Sequence, residues 1–259
     1  MNTFIRLFCY VSIISISLML NACSSTSKSD PYKDMTAEQM YNQGKLAAKK
    51  EKYGAAIKDF EALEARYPYG EYTCKAQLAL VHAYYKQEES ASALAAADRF
   101  IRMHPQHENI DYVHYMKGVI NYDENFSTAY KYFPLDRSLR DPTLAKQSFD
   151  DFKNLLQKYP TSEYAMDAKK RMISLRNHLA NHELYVANYY MRKGAYIAAA
   201  NRAGYIVNQF NQTEAIPKAL AIMVKAYQAL GMNELANDAL VTLNKNFPNL
   251  AEKLLKESC

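Results

Sequence analysis

The sequence predicts an all-α chain built from a repeated helix-turn-helix unit, and three observations predict it. Glycine and proline are scarce, seven and eight in 259 residues, and the apolar side chains fall at helical spacing. The same helix ending recurs at Tyr67-Pro68, His104-Pro105, Tyr159-Pro160 and Phe247-Pro248, where proline pushes the preceding residue out of the α region. Small residues recur at a fixed step: Ala56 to Ala93 spans 37 positions, and so does Ala199 to Ala236.

The first element is not part of that body. Met1 to Arg6 carries one cation, and Leu7 to Leu20 is uncharged and largely apolar. That run has the length of a signal-peptide core and is shorter than the ~20 residues of a membrane-spanning helix. It ends in Leu20-Asn21-Ala22-Cys23, which resembles a lipobox: small Ala22 precedes the cut, and the Cys23 thiol takes the lipid. The expectation is a signal peptide over 1–22, removed, and a lipidated Cys23; a plain signal peptide or a buried helix is the alternative. Several acyl chains on one cysteine anchor a protein stably, whereas one does not. In lipoproteins of this kind Asp after the cysteine marks inner-membrane retention, and Ser24 stands there instead, which points to the outer membrane. Ser24 to Met35 is polar, Ser-rich and carries Pro31, so 23–35 reads as the lipidated cysteine and a flexible tether reaching at most ~40 Å.

The repeats follow. Ala56, Phe60, Leu63 and Tyr67 lie at i, i+4, i+7 and i+11 and form one helical stripe. Aligned helix starts put Ala56, Ala93, Ser148, Ala199 and Ala236 at one equivalent position. These units resemble tetratricopeptide repeats, helix-turn-helix modules of ~34 residues with small residues where the two helices approach. The first copy supplies Gly44, Ala56, Phe60 and Pro68; the second Leu80, Val81, Tyr84, Ala93 and Pro105. The third has Gly118, Phe152, Leu155 and Pro160, interrupted by an aromatic insertion (Tyr122, Phe126, Tyr130, Tyr132, Phe133) that closes with Leu135 to Pro142. After Pro160, Ser162 is the expected N-cap of a long helix running from Glu163 towards Lys193. The fourth copy gives Ala187, Tyr190 and Ala199 with Asn211 in place of proline, and the fifth Val224, Tyr227, Ala236 and Pro248. The predicted architecture is a tetratricopeptide-like helical repeat solenoid of about five units. The third unit carries an insertion, with repeats 1–3 in 36–160 and repeats 4–5 in 161–259.

Composition excludes some functions. Removal of Arg6 with the signal takes the formal charge from +5 to +4, evenly spread, which argues against a nucleic-acid surface. Cys74 and Cys259 could pair only if close, and a buried, apolar Cys74 is the simpler expectation. No phosphate loop or nucleophile elbow occurs. His178 and His182 are four apart, but Leu179 and Asn181 stand where zinc hydrolase motifs need glutamate. The chain reads as a non-enzyme without cofactor or metal.

A stacked-helix scaffold binds extended peptides or partner helices on its concave face. Twenty-two tyrosines and no tryptophan, with Tyr67, Tyr69 and Tyr72 around one turn and Tyr84-Tyr85 on the next helix, suit such a surface. The competing reading makes most of them repeat core. Arg99 and Arg102, one helical turn apart, could meet a peptide carboxylate or be solvated.

Ordered short blocks make the resemblance specific. They are Arg66-Tyr67-Pro68-Tyr69-Gly70, Ala83-Tyr84-Tyr85-Lys86, Asp98-Arg99-Phe100-Ile101-Arg102, Asn109-Ile110-Asp111-Tyr112-Val113, Asp136-Arg137-Ser138, Arg140-Asp141-Pro142, Val186-Ala187-Asn188-Tyr189-Tyr190 and Lys193-Gly194-Ala195-Tyr196. Over roughly Met35 to Leu243 the chain resembles the BamD (ComL) family of repeat lipoproteins of the β-barrel assembly machinery. That resemblance implies an outer-membrane lipoprotein on the periplasmic face, docking through its C-terminal repeats on a BamA-type barrel protein and carrying a BamC-like lipoprotein. It also implies that the N-terminal repeats receive the C-terminal targeting strand of unfolded outer-membrane proteins, which ends in an aromatic residue and a carboxylate. Tyr67, Tyr69, Tyr84, Arg99 and Arg102 are the expected substrate-peptide residues, and Lys193 and Tyr196 the expected BamA-facing ones. An outer-membrane repeat lipoprotein that scaffolds peptidoglycan enzymes is the alternative; an undetected metalloenzyme is a more distant one.

Overall fold

The computed structural model describes residues 30–126 and 141–256. Cys23, Cys259 and the insertion's Tyr130, Tyr132, Phe133 and Leu135 to Arg140 lie outside the described residues. Eleven helices and no strand occur among the described residues: α1 (Ala37–Lys49), α2 (Tyr53–Arg66), α3 (Glu71–Lys86), α4 (Ser90–Met103), α5 (Ile110–Asn125), α6 (Thr143–Lys158), α7 (Ala165–Arg192), α8 (Tyr196–Gln209), α9 (Ile216–Ala229), α10 (Asn233–Asn246) and α11 (Pro248–Lys256). They pair as α1–α2, α3–α4, α5–α6, α7–α8 and α9–α10, which are the five expected units, with α11 as a cap on α9 and α10.

Local chemistry explains the boundaries. Thr36 and Gln39 close a capping box at the start of α1, the Thr36 N–H donating to Gln39 Oε1 at 2.8 Å and the Gln39 N–H to Thr36 Oγ1 at 3.3 Å. The second helices finish on Tyr67, His104, Tyr159 and Phe247, each an aromatic ring with its N–H bonded four residues back. Phe210 ends α8 in the same way although Asn211 follows, so proline is not required for the stop. Each described turn inside a unit places one residue in the left-handed region: Glu51, Glu88, Gly194 and Gly231, with φ of 58°, 63°, 72° and 72°. Their spacing, 51 to 88 and 194 to 231, repeats the step of 37.

The small positions allow close helix approach. A Cβ on Gly44 would lie 2.6 Å from the Phe60 ring, and one on Gly118 2.5 Å from the Phe152 ring. Ser148, the polar member of its set, is fully buried and donates from Oγ to the Gly118 carbonyl at 2.8 Å. Each of the first four core clusters joins one helix pair to the first helix of the next unit, and the last joins α9 and α10 to the cap α11. The first, for example, gathers Met40, Phe60 and Leu63 with Leu80 of α3.

Two segments differ from expectation. Ser162 does not cap α7, which starts at Ala165. Its hydroxyl accepts the Tyr164 N–H at 3.2 Å and donates to Asp111 at 2.6 Å, and its carbonyl accepts the Ala165 N–H, so a separate turn precedes the helix. Asp30 to Met35, expected within the tether, is docked on α2. Arg66 pairs with Asp30 and donates to the Tyr32 carbonyl, and the Tyr32 hydroxyl donates to buried Asp59 at 2.7 Å. Burial, and then that hydrogen bond, push the Tyr32 phenol up to about 12.

Helix α7, 28 residues and about 42 Å long, serves both halves. Its Ala168, Leu175 and Leu179 pack with Phe152 and Leu155 of α6, while Ala180, Leu184 and Ala187 pack with α8 and α9. The expected boundary at residues 160 and 161 thus falls in the turn before a helix that both halves share.

Candidate protein-binding surfaces

The backbones of the first helices of successive units approach one another closely (α1 with α3, α3 with α5, α5 with α7, α7 with α9); among the described residues the backbones of second helices do not, and α2 and α4 meet through the longer Arg99–Glu64 side-chain pair. Closer spacing on one layer bends the stack, so the odd-numbered helices line its inner face. Aromatic rings populate that face: Tyr41 and Tyr72 lie 5.8 Å apart between α1 and α3, and the Lys75 ammonium stands 5.4 Å from the Tyr72 ring.

Further along, one network spans three inner helices. Tyr85 of α3 donates to Asp123 of α5, Tyr115 of α5 donates to Asp167 of α7 at 2.6 Å, and Arg171 bonds Asp167 at 2.6 Å while approaching Asp123 at 3.6 Å. The Arg171 guanidinium also sits 4.8 Å above the Tyr122 ring. Burial opposes charge on Asp167, yet hydrogen bonds from Tyr115 and Arg171 and the Arg171 charge outweigh it and hold the carboxyl below its ordinary value. Burial and then the bond to Asp167 raise the Tyr115 phenol to about 12, so both partners keep the states the network needs at neutral pH.

The residues expected from sequence are divided between two edges of the stack. Tyr67, Tyr69 and Arg102 lie where second helices finish and the chain turns to the next unit. Tyr84 stands fifteen positions beyond Tyr69, near the far end of α3 and ~22 Å away along its axis. Lys193 and Tyr196 flank the α7–α8 turn on that opposite edge.

Three of the five substrate candidates are engaged inside the fold. Tyr67 packs on the first core and donates to the Met35 carbonyl at 2.9 Å. The ring of Tyr84 packs between the first two cores, and its hydroxyl donates to Glu61. Arg99 pairs with Glu64 at 3.0 Å. Gln77 Nε2 donates to the same Glu64 at 2.9 Å, leaving Gln77 Oε1 to accept from His104 Nε2 at 2.7 Å. That chain ties α2, α3 and α4 together and gives His104 a structural part; burial lowers the His104 pKa. Arg102 is exposed on the last turn of α4, where a cation meets the negative end of the helix dipole. Tyr69 is 88% exposed.

In the fourth unit, Lys193 is exposed with its ammonium 5.7 Å from the Tyr189 ring, and Tyr196 is half-buried on the local core. Tyr185 and Tyr189 are exposed on α7 and Ile197 and Tyr205 on α8, and Tyr205 lines a cleft of about 390 Å³ with Tyr190, Ala198, Asn201 and Arg202. Arg202 pairs with buried Glu183 at 2.9 Å, which keeps one wall of that cleft fixed. Sequence reasoning named neither the Arg171 network nor this patch. Tyr115 and Tyr122, seven apart on α5, were the available signal for the network. Cys74 is half-buried on the second core, and burial pushes its thiol up. His178 lies in edge contact with the Phe126 ring at 5.3 Å.

A family model described as YfiO, outer membrane lipoprotein, matches residues 33–243. The chain is 39% identical over 239 residues to the outer membrane protein assembly factor BamD of Neisseria meningitidis serogroup A, covering 91% of this chain and 90% of that protein. It is 40% identical over 222 residues to BamD of Vibrio cholerae, with 86% and 91% covered. With BamD of Haemophilus influenzae it shares 30% identity over 236 residues, 91% and 89% covered. No helix among the described residues is long and apolar enough to cross a membrane. By family match and by relatives aligned along nearly their whole length, the chain belongs to the BamD family of outer membrane lipoproteins.

Proposed function

We propose that the protein is the lipid-anchored scaffold of an outer-membrane β-barrel assembly machine, held through Cys23 on the periplasmic face and acting without catalysis. The C-terminal units dock on a BamA-type barrel protein and accommodate a BamC-like lipoprotein; the N-terminal units receive the targeting strand of unfolded outer-membrane proteins. The observation that carries this reading is the set of exposed apolar and aromatic side chains on α7 and α8, Tyr185, Tyr189, Ile197 and Tyr205, on the helix pair whose turn carries Lys193 and Tyr196. Exposed aromatic clusters beside a cleft with a fixed wall are the anchors protein interfaces use. Of the residues expected to hold the strand, Arg102 is the exposed cation, on the last turn of α4, whereas Arg99 is paired with Glu64, so Arg102 is assigned the strand carboxylate.

The test is a mild-detergent pull-down of the tagged, lipidated protein with partners identified by mass spectrometry. A BamA-type barrel in comparable amount is expected, lost when Tyr189 and Ile197 are both replaced by Ser. Cell-wall hydrolases in its place would overturn the assembly role in favour of a peptidoglycan scaffold. Stoichiometric metal by elemental analysis would reopen catalysis.

A further inference from the structure

The chain between the anchor and the repeats is clasped before it reaches α1. Asp30 pairs with Arg66, Arg66 also holds the Tyr32 carbonyl, Tyr32 reaches Asp59, and the Tyr67 hydroxyl holds the Met35 carbonyl. Several of these contacts gather where α2 ends and the chain turns into α3. The apex of that turn is Pro68-Tyr69-Gly70, all exposed, and at 88% Tyr69 is the most exposed of the large apolar and aromatic side chains among the described residues. Gly70 takes φ +123°, a conformation that favours glycine, with open space around it. Six residues, Ser24 to Ser29, separate Cys23 from Asp30, a contour of at most ~25 Å.

We propose that the Pro68-Tyr69-Gly70 turn is a second, non-covalent membrane contact, with Tyr69 seated in the headgroup layer of the leaflet that holds the Cys23 lipids. The proposal rests on the lipid anchor of the function proposed above. Tyrosine suits that place because its ring is apolar and its hydroxyl wet, and aromatic residues concentrate at membrane–water interfaces. The clasp removes the slack a free tether would have, and a short link to a fixed surface keeps that surface at high effective concentration. A diffusing strand has no such advantage, so the lipid is the favoured occupant and Tyr69 leaves the strand-binding set. The two contacts together also fix which edge of the first unit faces the bilayer.

The chain contains no tryptophan, so Tyr69→Trp places a single indole at the turn. The lipidated, full-length variant is bound to vesicles of phosphatidylethanolamine and phosphatidylglycerol, with and without bromine near the headgroup end of the acyl chains. A blue shift and quenching by the brominated lipid are expected. Adding Arg66→Ala, which opens the clasp, relieves the quenching, and Tyr189→Trp on the opposite edge stays unquenched. Vesicle-bound Tyr69→Trp protein whose indole emission ignores brominated lipid overturns the proposal. Emission that responds only to an added strand peptide overturns it in favour of the peptide. A Cys23 peptide without lipid mass, in protein that does not float with vesicles, overturns the anchor and this contact together and is told apart by that mass.

Discussion

Gly118 faces the ring of Phe152 so closely that a methyl group on its Cα would stand 2.5 Å from the ring edge. The ring is fully buried and cannot swing away. Alanine is worth about 1 kcal/mol over glycine in a helix, but overpacking a tight core costs roughly 1–3 kcal/mol, and here the clash decides the sign. Gly118→Ala and Gly44→Ala are each expected to lower the urea unfolding free energy. Gly204→Ala, in a helix with open space around the site, is expected to raise it by about 0.5–1 kcal/mol. A stabilised Gly118→Ala would show that the two helices can part at no cost.

The left-handed turn residues give a prediction of opposite sign. Glu51 and Glu88 occupy a conformation that Gly194 and Gly231 occupy freely. A side chain there costs roughly 1–2 kcal/mol per residue, partly offset by the larger chain entropy of glycine when unfolded. Glu51→Gly and Glu88→Gly should each raise the melting temperature, corresponding to about 1 kcal/mol. Melting curves unmoved or lowered would mean that the glutamates make contacts worth more than the turn strain.

Acid unfolding should report on the inner-face network. The Asp167 carboxyl is held below its ordinary 3.8 in the fold, so folding favours its charged form. That contribution is complete above about pH 4 and is lost as the pH falls through the folded value. Asp167→Asn therefore flattens the dependence of stability on pH below about 4 and leaves the neutral region parallel to the parent. A parallel acid limb would remove Asp167 from the groups that set it.

Strand binding should separate Arg102 from Arg99, although they are one turn apart. Arg102→Ala is expected to weaken a strand peptide with a free terminal carboxylate by about tenfold, near 1.4 kcal/mol. Amidating the peptide should cost as much in the parent and little more in the variant. Arg99→Ala instead removes the cation from Glu64, which then keeps Gln77 as its partner, and should show in stability rather than affinity. Equal affinity losses for both peptides in Arg102→Ala would place the carboxylate elsewhere.

The repeat was legible because its signals are local and periodic. Proline after an aromatic helix end, small residues at a step of 37 and apolar stripes each act within a few turns of chain, and together they placed five helix pairs. Binding surfaces depend on which side chains are already spoken for, and that is a tertiary matter. Arg99 and Arg102 look alike in sequence; only the packing of α2 beside α4 shows that one meets Glu64. Tyr67 and Tyr84 likewise spend their hydroxyls on Met35 and Glu61, contacts 32 and 23 positions away. For Arg171 the local signal is its i,i+4 spacing from Asp167, which says nothing of Asp123 and the Tyr122 ring on α5 that give it its place in the network.

Helix α7 acts on the molecule as a gear train would. It packs against both halves, so the angular relation between the N-terminal and the C-terminal units is set by how many residues lie along it. Inserting or deleting one residue in its middle would rotate everything beyond by about 100° and shift it ~1.5 Å along the axis. The patch around Tyr189 and Ile197 would then point to a different side of the stack, with every repeat still intact. The number of residues in this helix is thus itself a functional parameter, one that no single side chain carries.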